Sequence, residues 1–216
     1  MLQKPHLFLL AALSFGMAMP SLSFADINAG EALAKNGAKG VVAPCLQCHG
    51  SHGEGQAALG YPRLAGQNKA YLVKQLQDFK GRRSSPIMQV FAQALNEQQI
   101  NDVAEYYASL PVGAGGKQAA PTTAPAPSSQ GMLLAQQGNW DKGIPACFAC
   151  HGEKGAGIAP SFPVLAGQHK TYLVKQLTAW RSGERANDPQ GLMKAVAQKM
   201  SPEEIDTVST YLESLK

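Results

Sequence analysis

Long apolar runs are scarce in this 216-residue chain. After residue 25 no segment approaches the ~20 apolar residues of a helical membrane span, which excludes a multi-span membrane protein. Charge is sparse as well: Asp, Glu, Lys and Arg make up 16% of the residues, and the formal net charge is +4. Acidic and basic residues are interspersed in both halves. Without a basic stripe to track a phosphate backbone, nucleic acid is not an expected partner. No stretch of useful length alternates apolar and polar residues, so strands are not expected. No set of side chains converges in the pattern of a nucleophile, general acid or general base, and no catalytic residue is assigned. Cysteine is limited to four residues.

Those four are all placed in two copies of one pentapeptide, Cys45-Leu46-Gln47-Cys48-His49 and Cys147-Phe148-Ala149-Cys150-His151. Cys-X-X-Cys-His is the attachment signal of c-type haem. Two thiols at this spacing can each form a thioether with one haem vinyl group, and the adjacent histidine is held against one face of the iron. The spacing thus predicts two covalent haem c groups, on Cys45 and Cys48 and on Cys147 and Cys150, with His49 and His151 as proximal ligands. A zinc site would pool four cysteines, or two with two histidines. Here the pairs lie a domain's length apart and each has its own histidine. A thioredoxin-like dithiol would need a βαβ context, and none is visible.

Met1 to Ala25 has the form of a secretory signal. Lys4 gives the positive start, Leu7 to Met19 the apolar stretch, and Ser23-Phe24-Ala25 the small residues read by a signal peptidase. Cleavage after Ala25 and export to the periplasm are expected. In an exported chain four cysteines would ordinarily suggest two disulfides; the doubled pentapeptide overrides that default.

The chain is a tandem repeat. Leu64 to Leu76 matches Leu165 to Leu177 at eleven of thirteen positions, the exceptions being Asn68/His169 and Ala70/Thr171. Gly30 pairs with Gly131, Pro62 with Pro163 and Tyr106 with Tyr211. The period is that of a small domain, too long for a solenoid unit. Between the copies, Pro111 to Gln130 is rich in alanine and proline and carries one charge, Lys117; such a stretch is extended and builds no core. The expected organisation is a signal over residues 1–25, domains over 26–110 and 131–216, and a linker over 111–130.

Each domain reads as helical, so the fold class is all-α. Short helices around Ala32 and Leu133 open the copies. Leu72, Leu76 and Phe79, and Leu173, Leu177 and Trp180, recur at helical spacing before Gly81 and Gly183. The last helices start with capping boxes, Asn96 with Gln99 and Ser201 with Glu204. Ile100, Val103, Tyr107 and Leu110 then line one face, and Ile205, Val208, Leu212 and Leu215 its counterpart.

The sixth iron position decides between electron transfer and ligand chemistry. Met88 is the sole methionine between Ala25 and Pro111. It lies in Ser85-Pro86-Ile87-Met88, read as a proline-bearing loop that turns the side chain back to the haem. The second copy offers Met132, Met193 and Met200. Alanine follows four residues after Met88 (Ala92) and after Met193 (Ala197), whereas Met200 aligns with Leu95. Met193 is therefore the expected ligand. His52 is too near His49 to reach the opposite face, and its counterpart Lys154 argues for a surface position. His169, at a helix start, reads as an exposed polar residue.

The order Cys-X-X-Cys-His-Gly, Pro-X-Leu-Ala-Gly-Gln, Tyr-Leu-X-Lys-Gln-Leu, Met-X-X-X-Ala and a tyrosine-bearing terminal helix resembles dihaem cytochrome c4, over both halves of the mature chain. The resemblance implies two class I cytochrome c domains packed head to head with His/Met haems. It implies that the carbonyls of Pro62 and Pro163 accept a hydrogen bond from the proximal histidines, which fixes ring orientation. Gly30 and Gly131 would let the first helix of each copy approach Tyr106 or Tyr107, and Tyr211. The expected function is a periplasmic carrier of single electrons, not an enzyme. Its expected partners are redox proteins of the respiratory chain, a terminal oxidase or a quinol-oxidising cytochrome complex. A monomer is expected, with peripheral membrane association left open. The competing readings are a dihaem peroxidase, which requires one displaceable sixth ligand, and a haem subunit docked on a periplasmic dehydrogenase.

Overall fold

The computed structural model describes residues 24–38, 40–113 and 129–215. Residues 1–23 of the expected signal and residues 114–128 of the expected linker lie outside them. Ten α-helices are present among the described residues, in two successive sets of five. The first set is α1 (Ile27–Asn36), α2 (Leu46–His49), α3 (Lys69–Phe79), α4 (Pro86–Ala94) and α5 (Glu97–Ser109). The second is α6 (Ser129–Gln137), α7 (Cys147–His151), α8 (Lys170–Ser182), α9 (Leu192–Lys199) and α10 (Pro202–Ser214). Extended pairing among the described residues is limited to isolated bridges such as Gln56 with Tyr61 and Ile158 with Phe162. The fold is all-α, as the absence of strand periodicity implied.

Local chemistry sets the helix ends. The Asp26 carboxylate accepts from the Asn28 and Ala29 amides and caps α1. Both expected capping boxes form, Asn96 with Gln99 on α5 and Ser201 with Glu204 on α10, the second with Pro202 in its first turn. Gly183 closes α8 in the left-handed region, at φ 85°. One expectation fails here. The segment around Met88 is no loop: Ser85 caps a helix, accepting from the Met88 amide, and Pro86 opens it. Serine followed by proline is a helix start because proline's fixed φ suits the first turn and its missing N–H is not needed there.

Each half has its own core. In the first, Leu33, Leu72, Leu95, Ile100, Val103 and Tyr107 pack together; in the second, Leu134, Ile144, Leu173, Met200, Val208 and Leu212. Leu95 and Met200 therefore occupy matching core positions, as the repeat register required. The helix crossings demand glycine. A Cβ on Gly30 would stand 2.1 Å from the Asp102 carbonyl oxygen and 2.9 Å from the Tyr106 Cβ. A Cβ on Gly131 would stand 2.2 Å from the Thr207 carbonyl oxygen, so this crossing too leaves no room for a side chain. Tyr211 meets the same helix, its hydroxyl accepting from Gln136 Nε2 at 3.2 Å, and its ring faces Phe148 with centroids 6.4 Å apart.

The two halves dock through matched polar clasps. Gln67 donates from Nε2 to the Val164 carbonyl (3.0 Å) and accepts the Val164 amide on Oε1 (2.7 Å). Gln168 does the same to Arg63: Nε2 to the Arg63 carbonyl at 2.9 Å and the Arg63 amide to Oε1 at 2.9 Å. A glutamine amide presents both a donor and an acceptor, so each completes a backbone pairing across the junction. Asn68 Nδ2 donates to the Phe162 carbonyl at 2.8 Å, and His169 Nε2 to the Glu54 carbonyl at 2.8 Å. His169 is thus buried and bonded, correcting the expectation of an exposed residue. A helix-start position looked solvated because the surface that covers it lies about 115 residues away in the chain.

Candidate haem sites

Each Cys-X-X-Cys-His motif is wound into a single helical turn, α2 or α7. That turn brings its two sulfurs to one face and places the histidine at its end. His49 is buried, and its Nδ1 donates to the Pro62 carbonyl oxygen at 3.0 Å. His151 is buried in the same way, with Nδ1 on the Pro163 carbonyl at 3.0 Å. A carbonyl oxygen can only accept, so the proton is on Nδ1 and the lone pair on Nε2 is left for a metal. Burial holds both imidazoles below the ordinary histidine pKa, with the carbonyl bond offsetting part of that effect. Both rings are therefore held toward the neutral form, which is the form that can bind a metal. Burial also pushes the Cys45 and Cys147 thiols up to about 11.

Both motifs open onto one cavity of about 1310 Å³, walled by the two halves together. Its lining is mostly apolar and includes Leu72, Phe79, Phe91, Leu173, Trp180 and Val196. A single small-ligand cleft spans about 300–1,000 Å³, so this volume exceeds one site and suits two large planar groups side by side. The donor set fits haem: two thiols, a neutral imidazole and an apolar slot in each half. The Tyr107 hydroxyl is buried on this wall beside the Cys45 thiol. Among the described residues no group of three or more His, Cys, Asp or Glu is placed to hold a bare metal ion.

The structure brings the expected residues to this one cavity. Cys45, Cys48, His49, Pro62 and Met88 line it from the first half, and Cys147, Cys150, His151, Pro163 and Met193 from the second. Met88 lies in the first turn of α4 and Met193 in the first turn of α9. Ala92 and Ala197, one turn further on, are both fully buried. Met200 also reaches the cavity but is 4% exposed and held in the core. His52 and Lys154 are exposed. Sequence reasoning missed the polar side chains on the same wall: Arg63, Arg83 and Arg185, with Tyr71, Gln75, Tyr172 and Gln176. A signal existed, because Tyr71/Tyr172 and Gln75/Gln176 are polar identities inside the repeated block.

The family model for cytochrome c matches residues 34–111 and 141–216, one copy for each set of helices. The chain belongs to the cytochrome c family. Its tandem form is that of dihaem cytochrome c4. The crystal structure of reduced recombinant cytochrome c4 from Pseudomonas stutzeri is similar with a TM-score of 0.74 and 36% identity, covering 89% of this chain and 100% of that one. The thiosulfate dehydrogenase electron acceptor of Stutzerimonas stutzeri (strain A1501) is 44% identical over 178 residues, 82% of this chain and 81% of that protein. Thiosulfate dehydrogenase (TsdBA) from Marichromatium purpuratum has a TM-score of 0.79 and 38% identity; the match covers 88% of this chain and 40% of that longer one. As a cytochrome c of the c4 kind, the chain carries two covalently bound haem c groups and is an electron carrier. No helix among the described residues is long and apolar enough to cross a membrane.

Proposed function

We propose that this cytochrome works in the periplasm as a monomeric carrier that takes single electrons from a thiosulfate-oxidising dehydrogenase and passes them toward a terminal oxidase. In this reading residues 1–25 are a signal removed after Ala25. Residues 26–110 and 131–216 are the two domains, and residues 111–130 link them. Cys45 and Cys48 tether the first haem and Cys147 and Cys150 the second; His49 with Met88, and His151 with Met193, are the axial pairs. Each bound haem supplies a one-electron ferric/ferrous couple. The thioether tethers and two axial side chains keep each site closed and unchanged in both states. The carbonyls of Pro62 and Pro163 hold the imidazole protons at Nδ1 and fix the rings. Methionine ligation raises the potential, which suits delivery to a high-potential acceptor.

The observation that carries this reading is the near-identity of the two sites. Each has the same 3.0 Å histidine–carbonyl bond and a methionine at a helix start on the same cavity wall. A peroxidase needs one site made different from the other. The dehydrogenase partner is supported by the relative that bears the electron-acceptor name and by the likeness to one part of the longer dehydrogenase chain. The test mixes the oxidised holoprotein with thiosulfate, with and without a purified thiosulfate dehydrogenase. Both haems should be reduced only when the dehydrogenase is present. Thiosulfate consumption by this chain alone, or failure of the dehydrogenase to reduce it, would contradict the proposal.

A further inference from the structure

Asp102, on α5, is buried at 5% exposure. Its Oδ1 accepts from Gln98 Nε2 at 2.7 Å and from the Asp26 backbone nitrogen at 2.8 Å. Both donors are neutral in the uncut chain. The glutamates of α1 and α5 each meet a lysine: Glu31 with Lys35 at 2.7 Å, Glu97 with Lys80 at 3.2 Å and Glu105 with Lys69 at 2.6 Å. Among the described residues Asp102 has no Lys, Arg or His nitrogen within 4.0 Å. A buried carboxylate without a counter-charge is costly, so this position calls for a cation.

Asp102 stands where α1 crosses α5, with Gly30 pressed against its carbonyl. The second copy makes the same crossing, with Gly131 against the Thr207 carbonyl. There the place of Asp102 is taken by a neutral threonine, whose hydroxyl donates to the Glu204 carbonyl of its own helix at 3.3 Å. The two copies differ in what precedes their first helix. The second follows the linker, where the chain runs on unbroken. The first follows the expected signal. The carboxylate is present in the copy expected to begin with a free amino end and absent from the other.

We propose that Asp102 is the receptor for the α-ammonium that signal removal creates at Asp26, and that this ion pair locks α1 onto α5 in the mature protein. The inference rests on cleavage after Ala25. Hydrolysis of the Ala25–Asp26 bond by a signal peptidase leaves a carboxylate on Ala25 and an amine on Asp26. That amine takes up a proton at neutral pH, because its ordinary pKa is about 7.7–8.0. The nitrogen already lies 2.8 Å from Oδ1, so the charge arrives without any movement. A neutral bond becomes a charge-assisted one, roughly twice as strong. The pair also offsets a second cost. A cation at a helix N-terminus is opposed by the helix dipole. Here Asp102, together with the Asp26 side chain that caps α1, sets two carboxylates beside it. Phe24 is 88% exposed and is tied to α5 by the bond from Gln98 Nε2 to its carbonyl, 3.1 Å, so little buried surface is lost when the residues before Asp26 go.

The test uses the exported holoprotein in four forms: unchanged, with two serines inserted between Ala25 and Asp26, with Asp102→Asn, and with both changes. Intact mass identifies the first residue of each. The insertion moves the ammonium away from Asp102 and leaves an amide in its place. It should lower the unfolding temperature by roughly 2–4 °C, the shift that one such bond gives in a chain of about 150–250 residues. It should change nothing once residue 102 is asparagine. At neutral pH the α-amine of the unchanged protein should be acetylated about tenfold more slowly than that of Asp102→Asn, because an adjacent carboxylate raises an amine's pKa by about a unit or more and keeps it protonated. If Asp102→Asn does not yield folded protein, the acetylation rates of the unchanged and extended chains, both with Asp102, make the same comparison. A mature chain that begins at Asp26 but is acetylated at equal rates, or an insertion cost that persists in Asp102→Asn, would overturn the ion pair and leave the signal boundary standing. A first residue other than Asp26 in the unchanged protein would overturn both.

Discussion

A haem-free preparation of this chain should show no cooperative thermal transition. The reason is the volume that haem occupies. A cavity of about 1310 Å³ is walled by Leu72, Phe79, Leu173 and Trp180, residues that would otherwise close a core. Cavity volume costs about 24 cal/mol per Å³, so holding this space empty would cost on the order of 30 kcal/mol. A small domain commands only about 5–15 kcal/mol in all. Even a fraction of that cost outweighs what two small cores supply, and the slots must collapse or flood. Replacing the four cysteines by alanine, or expressing the chain without haem attachment, gives the material. Loss of the sharp calorimetric peak and of most far-ultraviolet helical signal is the expected result. A cooperative peak near that of the holoprotein would mean that the two apolar cores suffice alone.

The second large effect concerns the sixth ligand. Met88→His should lower the potential of the first haem by an amount on the order of 100 mV, within the ~0.8 V range over which axial ligands act. The second haem should move little, because the substitution changes ligand chemistry at one site and adds no charge at the junction. Met193→His should produce the mirror result. Equal movement of both potentials in Met88→His would refute either its assignment to the first iron or the separateness of the two sites.

The legible parts of the sequence were those governed by local chemistry. The capping boxes of α5 and α10 lie within four residues and formed as expected. The register that paired Leu95 with Met200 was read from the repeat, and both are core residues. Met88 lines the cavity as its chemistry suggested, but from a helix and not from a loop, because Ser85-Pro86 is a helix start. The junction was illegible for a different reason. Arg83, in the turn after α3, and Tyr172 and Gln176, on α8, carry no local mark of burial, and the partners that bury them lie about 90 residues away. His169 was misread on the same ground, since only the docked halves show the Glu54 carbonyl that it meets. Gly131 was legible from the repeat: its helix lies against the Thr207 carbonyl and its Gln136 bonds to the Tyr211 hydroxyl.

The central claim is that both haems are closed His/Met sites. It is tested most directly by the weak absorption near ~695 nm that marks methionine on ferric haem. The oxidised holoprotein should show that band at an intensity corresponding to two haems per chain, and it should bind neither cyanide nor peroxide on mixing. A band scaled to a single haem, accompanied by rapid cyanide or peroxide binding, would contradict the account and point to an enzyme with one open iron.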